Sequence, residues 1–259
     1  MDLSSLVLAL GVGVVAGFLG TLLGIGGGSI IVPLLVLLGY DIKVVVPASL
    51  VAILGTSIGG LRYLFSHGLV DYKLAITLET ASISGALAGV ELFGRLSSGR
   101  LVAVLAITLI LLSFYFAHRG KKIREEPRRI DGSTRSLSRL GAALTASFVA
   151  GMLSAMLGIG GGVVKVPILV FVLGLAIHSA VATSKLMVGI TALTGVIGHM
   201  VYGHIDWWLA IALAIGTYLG ATVSARILVK LEPRLVYYIA STYYAAVGTY
   251  LGVKAIYHI

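Results

Sequence analysis

Long apolar runs alternate with short polar or glycine-rich breaks along this chain. Apolar stretches cover about Leu6 to Leu38, Val46 to Phe65, Leu74 to Phe93 and Leu101 to Phe116. A polar segment, His118 to Arg139, follows. The pattern then restarts with Leu140 to Leu173, Val181 to Tyr202, Trp207 to Leu228 and Leu235 to Ile256. Most of these runs reach the ~20 residues a helix needs to cross a bilayer. The N-terminal run has no cationic flank and no processing site leading into a polar domain, so it reads as the first helix.

The restart is an internal repeat. Ala16–Val36 and Ala150–Val170 align without gaps, with 13 identities in 21 positions, including both Gly-Ile-Gly-Gly-Gly runs and Pro33/Pro167. One further residue of offset continues the match through Ser49/Ser184, Thr56/Thr191, Gly68/Gly203, Asp71/Asp206 and Gly85/Gly220. Low complexity alone does not keep such residues in step. The expected architecture is an all-α membrane protein with two repeats of four or five segments: residues 1–117, a basic loop 118–139, and residues 140–259.

Composition agrees. Of 259 residues, 58% are hydrophobic and 11% charged, and mean hydropathy is +1.06. A water-soluble globule needs a more polar exterior, whereas lipid accepts an apolar one. The absence of cysteine excludes disulfides, thiolate metal sites and a Cys nucleophile. The net charge of +9 lies mostly in the central loop, which argues against nucleic acid as a partner.

Segment parity decides topology. Leu6–Leu38 as one helix is roughly 50 Å long, too long for a ~30 Å hydrocarbon core. The glycine run at Gly24–Gly28 divides it, leaving a short apolar piece, Ile30–Gly39. If that piece returns across the membrane, each half has five passes and the repeats are inverted. If it does not, each half has four and the repeats are parallel. With the central loop inside, five passes place 13 Lys/Arg inside and 4 outside; four passes place 11 and 6. The positive-inside rule favours inversion, with both termini outside.

A helix break in lipid leaves backbone N–H and C=O groups that need partners. The half-helix after it starts with free N–H groups and the positive end of its dipole, a setting suited to an anion. Transporters place such breaks at matched positions of two repeats near the midplane. The other reading of the glycines is close helix packing.

Two halves, each with a Gly-x-Gly-Gly-Gly run and a proline (Gly24–Pro33, Gly158–Pro167), a charged central loop, and a Gly-x-x-Asp-aromatic turn (Gly68–Tyr72, Gly203–Trp207), resemble the TauE/SafE sulfite exporter family. The resemblance covers nearly the whole chain. It implies a multi-pass plasma-membrane transporter of sulfite, a sulfonate or a related sulfur-containing or organic anion.

The candidate anion-binding set is Gly24, Gly26, Gly27, Gly28, Ser29, Ser49, Gly158, Gly160, Gly161, Gly162, Lys165, Ser184 and Lys185. Lys165 stands where the first half has Ile31, and Lys185 where it has Leu50. Each either adds a fixed positive charge beside the anion or is an interfacial or helix-end lysine. Glu79, opposite Ala214 in the alignment, is either paired with a lysine or a proton carrier. His199 and His204, five apart, read as loop and interface residues; Glu91 and Arg226 read as interfacial. Asp71 and Asp206 read as helix N-caps. No metal or cofactor is expected. The partners are a small anion and the lipid bilayer, and a homodimer is left open. An anion channel is the main alternative. An intramembrane enzyme fits less well, because neither a Gly-x-Ser-x-Gly elbow nor a His-Glu-x-x-His motif occurs.

Overall fold

A computed structural model describes residues 3–22, 24–120, 137–228 and 233–257. Ten helices follow in chain order among them: α1 (Leu3–Leu22), α2 (Gly28–Leu37), α3 (Ile42–Ser66), α4 (Tyr72–Arg95), α5 (Ser98–Gly120), α6 (Leu137–Leu157), α7 (Gly162–Pro167), α8 (Ile177–Val201), α9 (Trp207–Leu228) and α10 (Pro233–Tyr257). No strand occurs among the described residues. Six of the helices (α1, α3, α4, α6, α8 and α9) are long and apolar enough to span a membrane.

Local chemistry explains several boundaries. Asp41 caps α3 by accepting from Lys43 N–H at 2.9 Å, so α3 starts four residues before the apolar run that predicts it. Asp71 accepts from Leu74 N–H at 3.0 Å, and Asp206 from Trp208 and Leu209 N–H; both are the expected N-caps. α5 runs to Gly120 and α6 begins at Leu137, so each helix takes in three residues of the central polar segment. Residues 121–136 of the expected basic loop lie outside the described residues.

Each long first segment breaks at its glycines. Gly24, Gly26 and Gly27 have φ of 70°, 86° and 77°; Gly158, Gly160 and Gly161 have 66°, 82° and 66°. This left-handed backbone suits glycine and is strained for other residues. α2 follows the first break. Pro33 has no N–H to bond the Ser29 carbonyl, and the Tyr243 hydroxyl of α10 donates to that carbonyl at 3.2 Å. In the second half α7 is only six residues long and passes into a π-turn, Ile168–Val172, after Pro167.

Helix directions follow from the closest glycine approaches. Along α3, Gly55 faces Ala214 and Thr217, and Gly59 faces Tyr218 and Thr222, so α3 and α9 run parallel. Along α9, Gly216 faces Leu10 and Gly13, and Gly220 faces Val14 and Phe18, so α1 and α9 also run parallel. Since α1 and α3 share one direction, α2 brings the chain back between them. α3 and α8 run antiparallel: Gly60 faces Lys185, Ser57 faces Gly189, and Leu50 faces Gly195. α5 and α10 do the same, with Ser113 near Ser241 and Ile110 near Gly248. The packing pairs α1·α9 and α4·α6, α3·α9 and α4·α8, and α2·α3 and α7·α8 interchange when the halves are exchanged.

Candidate functional site

The two glycine breaks meet inside the bundle. A Cβ at Gly28 would run into the Gly158 carbonyl, and one at Gly162 would lie 2.5 Å from the Gly24 carbonyl oxygen. Gly160 lies beside the Ile25 carbonyl and Gly26 beside Gly160 Cα. The breaks therefore pack backbone to backbone, and the glycines permit the approach. Their carbonyls are held by hydroxyls from the opposite half: Ser49 Oγ donates to Gly158 O and Ser184 Oγ to Gly24 O, both at 2.9 Å. Thr56 Oγ1 donates to Gly26 O at 3.1 Å. Ser29 is turned to α10, with its hydroxyl 3.1 Å from the Tyr244 hydroxyl.

Around this symmetric junction the polar side chains are asymmetric. Lys165 is fully buried, so it does not snorkel to an interface. Its Nζ donates to Glu79 Oε1 at 2.6 Å, to Met187 O at 3.3 Å and to Thr191 Oγ1. Thr191 Oγ1 donates to Glu79 Oε2 at 2.6 Å and lies 3.0 Å from Ser82 Oγ. Thr56, the equivalent of Thr191, has no such cluster, because Ile31 and Ala214 stand where Lys165 and Glu79 would be. Of the two readings of Glu79, the lysine pair is the geometry observed.

Lys185 is also fully buried, yet no carboxylate pairs with it among the described residues. Its Nζ donates to Thr21 Oγ1 at 2.7 Å. Gly60 lies against the Lys185 stem and the Thr21 methyl. One turn of α3 away, the buried Ser57 hydroxyl has no hydrogen-bond partner among the described residues. At the equivalent place in the other half Gly195 meets Leu50 and Ala155, all apolar. One junction is thus polar and cationic and the other greasy. Isolated burial of an ammonium is costly, so this lysine either gives up its proton or takes an anion as its complement.

His204 lies in the turn between α8 and α9, as expected, whereas His199 departs from the expectation: it is buried in the last turn of α8 rather than in a loop. Its Nε2 lies 3.0 Å from Ala155 O, and its Nδ1 lies 3.2 Å from His204 Nδ1, with Phe93 edge-on at 4.6 Å. A five-residue spacing fails on one helix face, but α8 ends at Val201 and the turn swings His204 back. Glu91 is exposed, near the end of α4, and paired with Arg95 at 2.8 Å. Sequence reasoning assigned no role to Thr21, Ser57, Ser82 or Thr191. The one available signal was the step-for-step match of Thr56 with Thr191.

Long apolar helices, two buried lysines and discontinuous helices define a polytopic membrane transporter. The pattern of sulfite exporter TauE/SafE proteins matches residues 9–251, and the chain belongs to that family. It is 27% identical to the probable membrane transporter protein YunE of Bacillus subtilis, over 98% of this chain and 99% of that protein. A probable membrane transporter protein of Methanocaldococcus jannaschii is 25% identical over 93% of this chain and 92% of its own length. YfcA of Escherichia coli, another probable membrane transporter protein, is 25% identical over 87% and 81%. No solved structure matches the chain. As a member of a transporter family, it is not an enzyme.

Proposed function

We propose that this chain is a secondary transporter of a small anion, such as sulfite, a sulfonate or a related sulfur-containing or organic anion, exported across the plasma membrane. Its architecture in this reading is two inverted repeats of five elements. The antiparallel course of the equivalent pairs α3/α8 and α5/α10 supports inversion. The return of the chain through α2 supports five elements per half.

The observation that carries the anion reading is Lys185. It is a buried lysine without an acid, bonded to Thr21 and next to Ser184, which grips the first break, and one turn along α8 from it Gly189 packs against the orphan Ser57 hydroxyl. The anion binds at this face of the glycine junction, with the breaks separating to admit it. Lys165 and Glu79 supply coupling. Protonating Glu79 removes the acid that neutralises Lys165, so a proton and an anion together leave the buried net charge unchanged.

Counter-flow of labelled sulfite in proteoliposomes tests the function and separates carrier from channel. A carrier concentrates label transiently against unlabelled anion inside. Label that only equilibrates indicates a channel, and absence of any flux for every anion of the class refutes the proposal.

A further inference from the structure

A second cationic feature lies away from the glycine junction. Toward their C-terminal ends α3 and α9 pack closely at Gly59, which meets the Tyr218 backbone and Thr222, and beside that contact they flank an opening. The opening is a cleft of about 460 Å³ lined by Ile58, Gly59, Arg62, Tyr63, Ser66, Tyr218, Thr222 and Arg226. It contains two arginines and no acid, and neither arginine has a salt-bridge partner among the described residues. The Ser66 and Thr222 hydroxyls donate to carbonyls of their own helices, Tyr63 O and Tyr218 O, both at 2.8 Å. Neither guanidinium, nor the Tyr63 or Tyr218 hydroxyl, has a hydrogen-bond partner among the described residues.

The lower wall is apolar and outward. Ile58 is 66% and Tyr218 45% exposed on helices that the composition places in lipid. An acyl chain fits along that wall, with the charged rim one to two turns further toward the helix ends. Repeat symmetry is not the cause of this pattern. The equivalent positions at the opposite end carry Ile197 for Arg62, Val201 for Ser66, Ile83 for Tyr218 and Glu91 for Arg226.

We propose that the α3–α9 cleft binds the phosphate headgroup of an anionic phospholipid, held by Arg62 and Arg226, with its acyl chain against Ile58 and Tyr218. Guanidinium groups match phosphate oxygens in bidentate geometry, and basic pockets between membrane helices suit such headgroups. Assigning this lipid to the inner leaflet rests on the proposed topology; the binding itself does not.

Native mass spectrometry of the full chain, released from detergent with phosphatidylglycerol or phosphatidylcholine, tests the proposal. The parent should retain phosphatidylglycerol at least tenfold better than phosphatidylcholine. Arg62→Ala and Arg226→Ala should each lose most of that preference, whereas Lys73→Ala, which removes one charge from the same end outside the cleft, should keep it. All three positions are exposed, so truncating them removes little packing. Equal retention of both lipids by the parent, or undiminished preference in both arginine variants, overturns the proposal. Equal thermal stabilisation by inorganic phosphate and by phosphatidylglycerol also overturns it, pointing to a free-anion site.

Discussion

Ser49 and Ser184 occupy equivalent positions in the two halves, and each donates its hydroxyl to the glycine break of the other, to Gly158 O and Gly24 O respectively. The same proton is shared with the serine's own helix, at Val46 O and Val181 O, so each is a three-centre bond. The breaks are therefore joined across the halves by a reciprocal pair of bonds. Losing one leaves a buried carbonyl short of a donor, which costs about 1–3 kcal/mol. Ser49→Ala and Ser184→Ala should each lower thermal stability by that order, and by similar amounts. A large loss from one and none from the other would contradict the reciprocal junction.

The glycines divide into those that need the absence of a side chain and those that do not. Gly28 faces the Gly158 carbonyl, whereas a Cβ at Gly11 meets nothing within 4 Å. Gly28→Ala should sharply reduce the folded yield or melting temperature, and Gly11→Ala should change neither. Gly27→Val and Gly161→Val should also fail, because both positions have positive φ. Melting curves of the four variants in detergent check this.

Lys165 and Glu79 form a fully buried pair. Removing one partner strands a charge and typically costs about 3–5 kcal/mol, whereas removing both is far milder. Lys165→Met and Glu79→Ala should each destabilise strongly, and the double variant should recover much of the loss. Glu79→Gln, which keeps the shape but can accept only one of the two bonds from Lys165 and Thr191, should abolish pH-driven transport yet leave substrate exchange largely intact. Equal loss of both activities would mark the pair as structural only.

Part of this organisation was legible in the sequence. The apolar helices, the breaks at Gly24–Gly28 and Gly158–Gly162, and the caps at Asp71 and Asp206 follow from local chemistry. What was not legible depends on helix neighbours. Glu79 meets Lys165 because α4 packs beside α8, and spacing along one chain does not reveal that contact. Lys185 and Thr21 are brought together across the halves, and the alignment partners Leu50 and Ala155 gave no warning of a polar pair. His199 was misplaced because its partner His204 lies beyond the helix end, where helical periodicity no longer applies.

The chain has no cysteine, so single introduced thiols report topology without background. His67→Cys and a cysteine within residues 121–136 should be labelled from one side of the membrane, and Tyr202→Cys from the other. Tyr202 follows α8 as His67 follows α3, at equivalent ends of two antiparallel helices. Labelling of all three from one side would contradict the inverted arrangement.

His204 lies between α8 and α9, outside the helices. Burial, and secondarily the charge of Lys43 on α3, hold its pKa below the usual histidine value. Its neighbours are His199, Tyr202 and Phe93. The folded state thus binds the proton less readily than the unfolded chain. This contribution to stability is present above about pH 6.5 and is lost as pH falls through the lower folded-state value. Melting temperature should decline more steeply on acidification below about pH 6.5 in the parent than in His204→Gln. Parallel profiles would show that His204 does not contribute.

The anion site at Lys185 is tested most directly by ligand-induced stabilisation of the purified protein. Sulfite, simple sulfonates, thiosulfate and small carboxylates are titrated against the parent, Lys185→Met and Lys165→Met, and the melting temperature is followed. A ligand at 100 times its dissociation constant stabilises the folded state by about 2.7 kcal/mol. At least one of these anions should raise the melting temperature of the parent in a saturable way, and Lys185→Met should lose that rise while remaining folded. If Lys185→Met were stabilised like the parent, or if none of these anions stabilised the parent, the site would not be at Lys185.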